Sequence, residues 1–437
     1  MLPPKLNGNV SFCPFESPCF PSNEMSAVTR YAHSAQLTPP PQYAIELGVF
    51  AVPSRDVDPY RMRISPLIGV FVGAFAIAAV SLNGQGTGVG DRKDGKHLFE
   101  RETFGGNGRT CLTCHSHETG TVSPEDARQR FLRNSADPLF LHDGSDDGNG
   151  DGVSRMLADA TILVEVPLAP NVRLADDPGA RSVVLRRGIP TTLNTPALDP
   201  VLMYDGRQPT LEAQATGAIR DHAQSLSLIS GDQLARLKAF QFTDAFFSSP
   251  ELRNFARGGA APALPQGSTE SERRGRRFFE DVPPDATFKP GVCASCHSGP
   301  LLNQTNQFAP LFGVFVPPGT RFQSVLVSEL NAVGNPVRNF IFTNRDGSET
   351  LIQSPDPGRA LITGVSQDFG QFDHVNAFKI SVLRGIRRTA PYFHDNSAKT
   401  LEDVAEHYTR AFKIVSFGLL VLTPQDEADI VAFMKLL

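Results

Sequence analysis

The run FGGNGRTCLTCH (Phe104 to His115) and its counterpart CASCHSGPLLNQ (Cys293 to Gln304) decide how this chain is read. Each holds a CxxCH frame: Cys111, Cys114 and His115 in the first, Cys293, Cys296 and His297 in the second. Two thiols at that spacing can add to the two vinyl groups of one haem, while the adjacent imidazole turns in to ligate iron from the proximal side. A lone CxxC would equally suit a redox dithiol or half of a zinc site. Two copies, each followed by histidine, favour haem over both. The expectation is two covalently bound c-type haems, with His115 and His297 as iron ligands.

Outward from these frames the chain repeats itself. GKHLF (Gly95 to Phe99) precedes Cys111 and GRRFF (Gly275 to Phe279) precedes Cys293, each reading as a short helix that leads into an attachment loop. Between them GGAAPALPQGS (Gly258 to Ser268) lacks apolar periodicity, and Thr269 with Glu272 then supplies helix-start chemistry. The boundaries follow: an N-terminal extension with a signal or anchor over 1–83, an N-terminal haem domain over 84–265 and a C-terminal haem domain over 266–437. Helical spacing recurs at Leu211 to Ala223, Leu401 to Tyr408 and Pro424 to Leu437, while strand-like alternation is scarce. Plentiful Gly (37) and Pro (35), with Phe (31) far ahead of Tyr (6) and Trp (0), suit long loops pinned onto aromatic-rich cores. The expected fold is mainly α: two cytochrome c-like haem domains with long loops and a few short β-hairpins.

At 437 residues the chain is long enough for two cores. Its net charge of -5, with acidic and basic residues interleaved, offers no basic block for phosphates, which excludes nucleic acid as a partner. RMRISPLIGVFVGAFAIAAVSLNG, from Arg61, combines two arginines, an apolar run from Ile64 to Val80 and small residues at Ala76, Ala78, Ala79 and Ser81. It reads as a secretory signal around residues 62–81 cleaved near Ala78 or Ser81, with an uncleaved membrane anchor over 64–80 as the alternative. Either implies export, to a periplasm where thioethers are formed. A signal belongs at the start of a chain, so Met62 is the expected initiator and residues 1–61 an extension in which Cys13 and Cys19 have no role.

The wider context resembles the bacterial di-haem cytochrome c peroxidases and their MauG-type relatives, which oxidise residues of a partner protein. The resemblance runs from about Gly95 to Leu437. It rests on the two haem runs, on RRGIPTTLNTPALDPVLMYDGRQPTLEAQ (Arg186 to Gln214) and on FKISVLRGIRRTAPYFHDNSAKTLEDVAEHY (Phe378 to Tyr408). It implies that peroxide reacts at the N-terminal haem while the C-terminal haem relays electrons, and that a calcium ion is a further candidate cofactor.

This chain departs from that pattern at several positions. Where the family carries a tryptophan between the haems stands Tyr204, which can relay an oxidising equivalent by losing an electron and a proton together. Gln214 matches a pocket glutamine, and Gln224 stands where the family has an acid/base glutamate. A glutamine can orient peroxide but cannot shuttle its proton. His222 is of the residue type that can, the alternative being a helix histidine bonded to solvent or backbone; His117 and His142 are further alternatives, as base or as sixth ligand. At the second haem the resemblance makes Tyr408, the MauG-type residue where peroxidases have Met, the axial ligand; neighbouring His407 and simple packing stay open. Phenolate would lower the haem potential. Met434, in the apolar C-terminal segment, reads as core.

In DGSDDGNGDGVSR (Asp143 to Arg155), Asp147, Asn149, Asp151 and Gly152 match the first half of an EF-hand-type loop, but its closing acidic position is Ala158. A solvated Asp/Gly turn is the other reading. Taken together the chain reads as a periplasmic di-haem oxidoreductase that reacts with hydrogen peroxide and exchanges electrons with a donor or substrate protein such as a small cytochrome c. A pure electron-transfer cytochrome and a dioxygenase related to the rubber-cleaving di-haem proteins remain the alternatives.

Overall fold

A computed structural model describes residues 89–194, 198–199, 201–308, 316–366 and 375–437. Cys13, Cys19, the signal segment and the candidate anchor over 64–80 lie outside the described residues. Among the described residues, no helix is long and apolar enough to cross a membrane.

These residues form twelve α-helices and seven strands, a mainly helical fold with a few short antiparallel strands. In chain order they are α1 (Val89–Glu100), α2 (Cys111–Cys114), α3 (Pro124–Arg133), α4 (Ser154–Asp159), β1 (Thr161–Pro167), β2 (Val172–Leu174), β3 (Ser182–Gly188), α5 (Leu211–Asp221), α6 (Gly231–Thr243), α7 (Pro250–Ala256) and α8 (Glu270–Arg276). There follow β4 (Phe322–Gln323), α9 (Val327–Leu330), β5 (Arg338–Thr343), β6 (Glu349–Ser354), α10 (Ala360–Thr363), β7 (Phe378–Lys379), α11 (Leu401–Val415) and α12 (Pro424–Met434). Helix starts are written in the side chains. Thr269 caps α8 while Glu272 reaches back to its backbone, and Thr400 with Asp403 and Thr423 with Asp426 do the same for α11 and α12.

The repeat seen in the sequence has a packing cause. A Cβ added at Gly95 would fall on the Arg236 carbonyl of α6, and one at Gly275 on the Asp429 carbonyl of α12, so each glycine lets two helices cross closely. Phe99 and Phe279, the last residues of the repeated motifs, each turn toward the cavity beside the following CxxCH frame. Gly275→Ala is therefore expected to destabilise the protein by about 1–3 kcal/mol through overpacking. Thermal unfolding of the variant checks this; an unchanged midpoint would show that the crossing has slack.

Strand content exceeds what the sequence announced. β1 and β3 pair antiparallel over their full lengths, Thr161 opposite Gly188 and Pro167 opposite Ser182. Ile162, Val164 and Val166 share the buried face with Val183, Leu185 and Arg187, a period-two pattern obscured because Thr161 and Gly188 are buried as well. β5 and β6 form a hairpin, and β2 adds to its other side, Val172 opposite Phe342 and Leu174 opposite Phe340. Three apolar cores result: Leu98, Phe99, Phe240 and Phe247 with their neighbours; Val122 to Ile189 joined by Phe340, Phe342 and Leu361; and Phe278 to Met434. Residues 259–267, where the boundary was expected, carry neither helix nor strand.

Candidate functional site: two cavities that share a wall

α1 packs on α6 and α8 on α12, and a cavity opens beside each CxxCH frame. The first encloses about 1360 Å³ counting its opening to solvent and is lined by Cys111, Cys114 and His115 among apolar side chains such as Phe99, Ile162, Leu202 and Leu237. The second encloses about 1280 Å³ on the same count and is lined by Cys293, Cys296 and His297 with Phe279, Phe378, Phe412 and Met434. Both suit a large, flat, mostly apolar ligand.

The two histidines are held alike. His115 Nδ1 lies 2.8 Å from the Gly120 carbonyl oxygen, and His297 Nδ1 lies 2.9 Å from that of Leu302. Each Nδ1–H donates to its carbonyl, leaving the Nε2 lone pair for a metal. Burial drives both imidazoles down to about 4, against the pull of the carbonyls of Gly120 in one site and Leu302 and Ser381 in the other, so both rings are neutral near neutral pH. Burial also pushes the Cys111 thiol up to about 12 and raises the other three. Among the described residues no three His, Cys, Asp or Glu side chains converge to hold an ion. The donor set thus fits a haem, whose vinyl groups and iron need thiols and imidazole at separate points.

Tyr204 and Lys379 line both cavities. Tyr204 is thus a shared wall, its ring edge-on to His394 at 6.5 Å, and burial pushes its phenol well above the usual tyrosine range. His394 stacks on Phe378 with 3.5 Å between ring centres. Beneath this layer β3 delivers Arg187, almost wholly buried, to Asp205 and Asp356 through bonds of 2.5 to 2.8 Å. Such a buried ion cluster holds only with every partner in place.

In the second cavity Tyr408 is among the lining residues and His407 is not: His407 Nε2 is engaged 2.8 Å from the Val325 carbonyl oxygen. The spacing of Leu401, Val404 and Tyr408 puts them on one side of α11, where Leu401 and Val404 are buried in the third core. Burial, then the Cys296 and Cys293 thiols, raise the Tyr408 phenol. Met434, read as core, is buried and lines the same cavity.

In the first cavity the residues of the resemblance part company. Gln214 lines it; Gln224 does not. α5 ends at Asp221, and Gln224 adopts a left-handed backbone (φ 54) that leaves its side chain exposed, bonded to Asn107. The position that the resemblance matches to the family's acid/base glutamate therefore lies outside this cavity. His222 does line the cavity, its Nδ1 2.5 Å from an Asp143 oxygen. His117 pairs with Glu100 at 3.0 Å, and neither it nor His142 lines the cavity. Arg109 and Asp143, which sequence reasoning did not single out, complete the polar wall beside His222. In the Asp147 loop the Asp147 carboxylate accepts from the backbone of Asn149, Gly150 and Asp151, and Asp146 from that of Ser154 and Arg155, so these groups close a turn on themselves.

Fold and site together define a mainly helical chain with two apolar cavities, each beside a CxxCH frame. No family model matches the chain. It is 26% identical over 264 residues to the cytochrome c551 peroxidase of Nitrosomonas europaea, an overlap of 57% of this chain and 64% of the relative. To the cytochrome-c peroxidase IdrP2 of a Pseudomonas species it is 22% identical over 354 residues, 77% and 78% of the two chains. To the methylamine utilization protein MauG of Methylophilus methylotrophus it is 26% identical over 282 residues, 59% and 69%. The chain is related to the bacterial di-haem cytochrome c peroxidases and MauG.

Proposed function

We propose that the chain is a periplasmic di-haem oxidoreductase that reduces hydrogen peroxide at the first cavity, using electrons relayed through the second from a donor protein. In this reading the haem domains span 84–265 and 266–437, and His115 and His297 hold the irons. Hydrogen peroxide, two protons and two electrons give two waters. The haems, when bound, supply the redox chemistry that cleaves the O–O bond. The residues supply binding and the proton. The observation that carries the reading is His222 on the wall of the cavity that also holds His115. Its Nδ1–H is committed to Asp143, so Nε2 is free to accept a proton from one peroxide oxygen and return it to the departing one. Gln214 hydrogen-bonds and orients the peroxide, and Tyr204, between the cavities, is the relay.

Tyr408 on the wall of the second cavity favours a MauG-type variant of this reading, in which the oxidising equivalents from peroxide are spent on oxidising a partner protein rather than consumed by electrons from a donor. Among the described residues no three His, Cys, Asp or Glu side chains converge on a calcium site.

His222→Ala is expected to slow the reaction of the ferric holoprotein with hydrogen peroxide by roughly 10²–10⁴-fold, with haem content unchanged. Stopped-flow absorbance measures it. Wild-type protein that is inert to peroxide, with both irons low-spin in every redox state, would replace this reading with that of a pure electron carrier.

A further inference from the structure

We infer that Asp143, clamped by Arg109, is the positioning residue that lets His222 act as the acid/base group of the first cavity, a device assembled from a loop far away in sequence. The inference rests on the peroxide reading and names how its proton is handled. The Arg109 guanidinium is only 3% exposed and spends every donor within the wall: on the Asp143 carboxylate, on the His222 carbonyl at 3.1 Å, and on the carbonyls of Pro138 at 2.8 Å, Leu139 at 3.0 Å and Leu141. Asp143 in turn gives one oxygen to Arg109 and the other to His222 Nδ1. Asn107 donates to the same His222 carbonyl at 3.1 Å, so the backbone and the ring of His222 are both tied to the attachment loop just before Cys111.

The chemistry of these groups fixes the tautomer. Burial would raise the Asp143 carboxyl, but the His222 ring and the Arg109 guanidinium outweigh it and hold the group below the usual carboxylate range. An ionised carboxylate only accepts, so His222 Nδ1 must donate, and in the neutral ring the lone pair then lies on Nε2. Gly144 keeps the clamp tight: a Cβ there would fall on the Leu139 carbonyl oxygen and crowd Arg109. His222 itself remains partly open, its side chain 25% exposed against 5% for Asp143, as expected of a reacting group backed by a buried one. The arrangement supplies the proton shuttle that glutamine at position 224 lacks.

The test uses ferric holoprotein and two probes, hydrogen peroxide and cyanide. Hydrogen cyanide must give up its proton to bind iron as the anion, and His222 Nε2 takes it, so the association rate read from the Soret shift reports the base without turnover. Asp143→Asn is expected to slow cyanide association and peroxide consumption by about tenfold to a hundredfold, because the amide no longer enforces the tautomer. In a His222→Ala background the same change is expected to alter neither rate, since Asp143 acts only through His222. Arg109→Lys, which keeps the charge but loses the fork, is expected to give a smaller loss of the same kind, again only when His222 is present. Equal losses with and without His222, or Asp143→Asn at the wild-type rate, would overturn the inference. Should cyanide association depend on Asp143 and His222 in this way while peroxide goes unconsumed by wild type, the positioning stands and the peroxidase reading falls.

Discussion

Mass spectrometry of the purified protein is expected to show two haem masses added to the polypeptide, and Cys293→Ala to sharply impair the covalent attachment of one of them. Cys293 and Cys296 line the same cavity as His297, so one haem must meet both thiols there. With one thiol gone, at most a single thioether forms, and non-covalent haem escapes into acid acetone. The loss reaches beyond colour. Phe279, Val292, Leu383, Val404 and Ile430 line that cavity and also belong to the third core, so without its ligand the core faces empty space. The variant should therefore unfold well below wild type. Full extraction of haem from wild-type protein by acid acetone would contradict covalent attachment at either frame.

Tyr408→Phe is expected to raise the midpoint potential of the second haem by on the order of 100 mV, the scale on which axial ligands tune haem iron. A phenolate oxygen donates charge and favours ferric iron, so its removal favours the ferrous state and the midpoint moves up. His407 is unsuited to take over while its Nε2 stays engaged by the Val325 carbonyl. Met434 lines the cavity, so Tyr408→Phe gives it the chance to ligate and move the potential further in the same direction. A redox titration with EPR on wild type and variant measures the shift. Identical midpoints and identical low-spin signals would mean that Tyr408 only packs.

Much of this was legible before any coordinates, and for identifiable reasons. CxxCH is a local chemical frame, and capping pairs such as Thr269 with Glu272 mark where helices begin. The GKHLF and GRRFF repeat was visible as letters, although only the crossings at Gly95 and Gly275 explain it. Less visible were features set by distant partners. Strands β1 and β3 each bury a polar or small residue at an end, Thr161 and Gly188, which blurs their alternation. Gln224 matches the family's acid/base position in sequence, but α5 ends at Asp221 and the left-handed backbone at Gln224 leads its side chain away from the cavity. Asp143 looked like the first letter of an acidic turn. Nothing local announces that it meets His222, because the two are brought together by the short 3₁₀ turn His142–Gly144 and by the clamp from Arg109.

The pairing of β2 with β5 gives the two copies of the haem motif a joint fate. A strand from before the 259–267 link completes a sheet whose other members come after it. Arg187 finds Asp356 across the same divide, and Asn396 reaches back to the carbonyls of Asp159 and Ala160. Cutting the gene at the link would leave each fragment with a severed sheet and a stranded charge. The segments on either side of the link therefore stand or fall together, so a substitution beside one CxxCH frame is felt in the stability around the other.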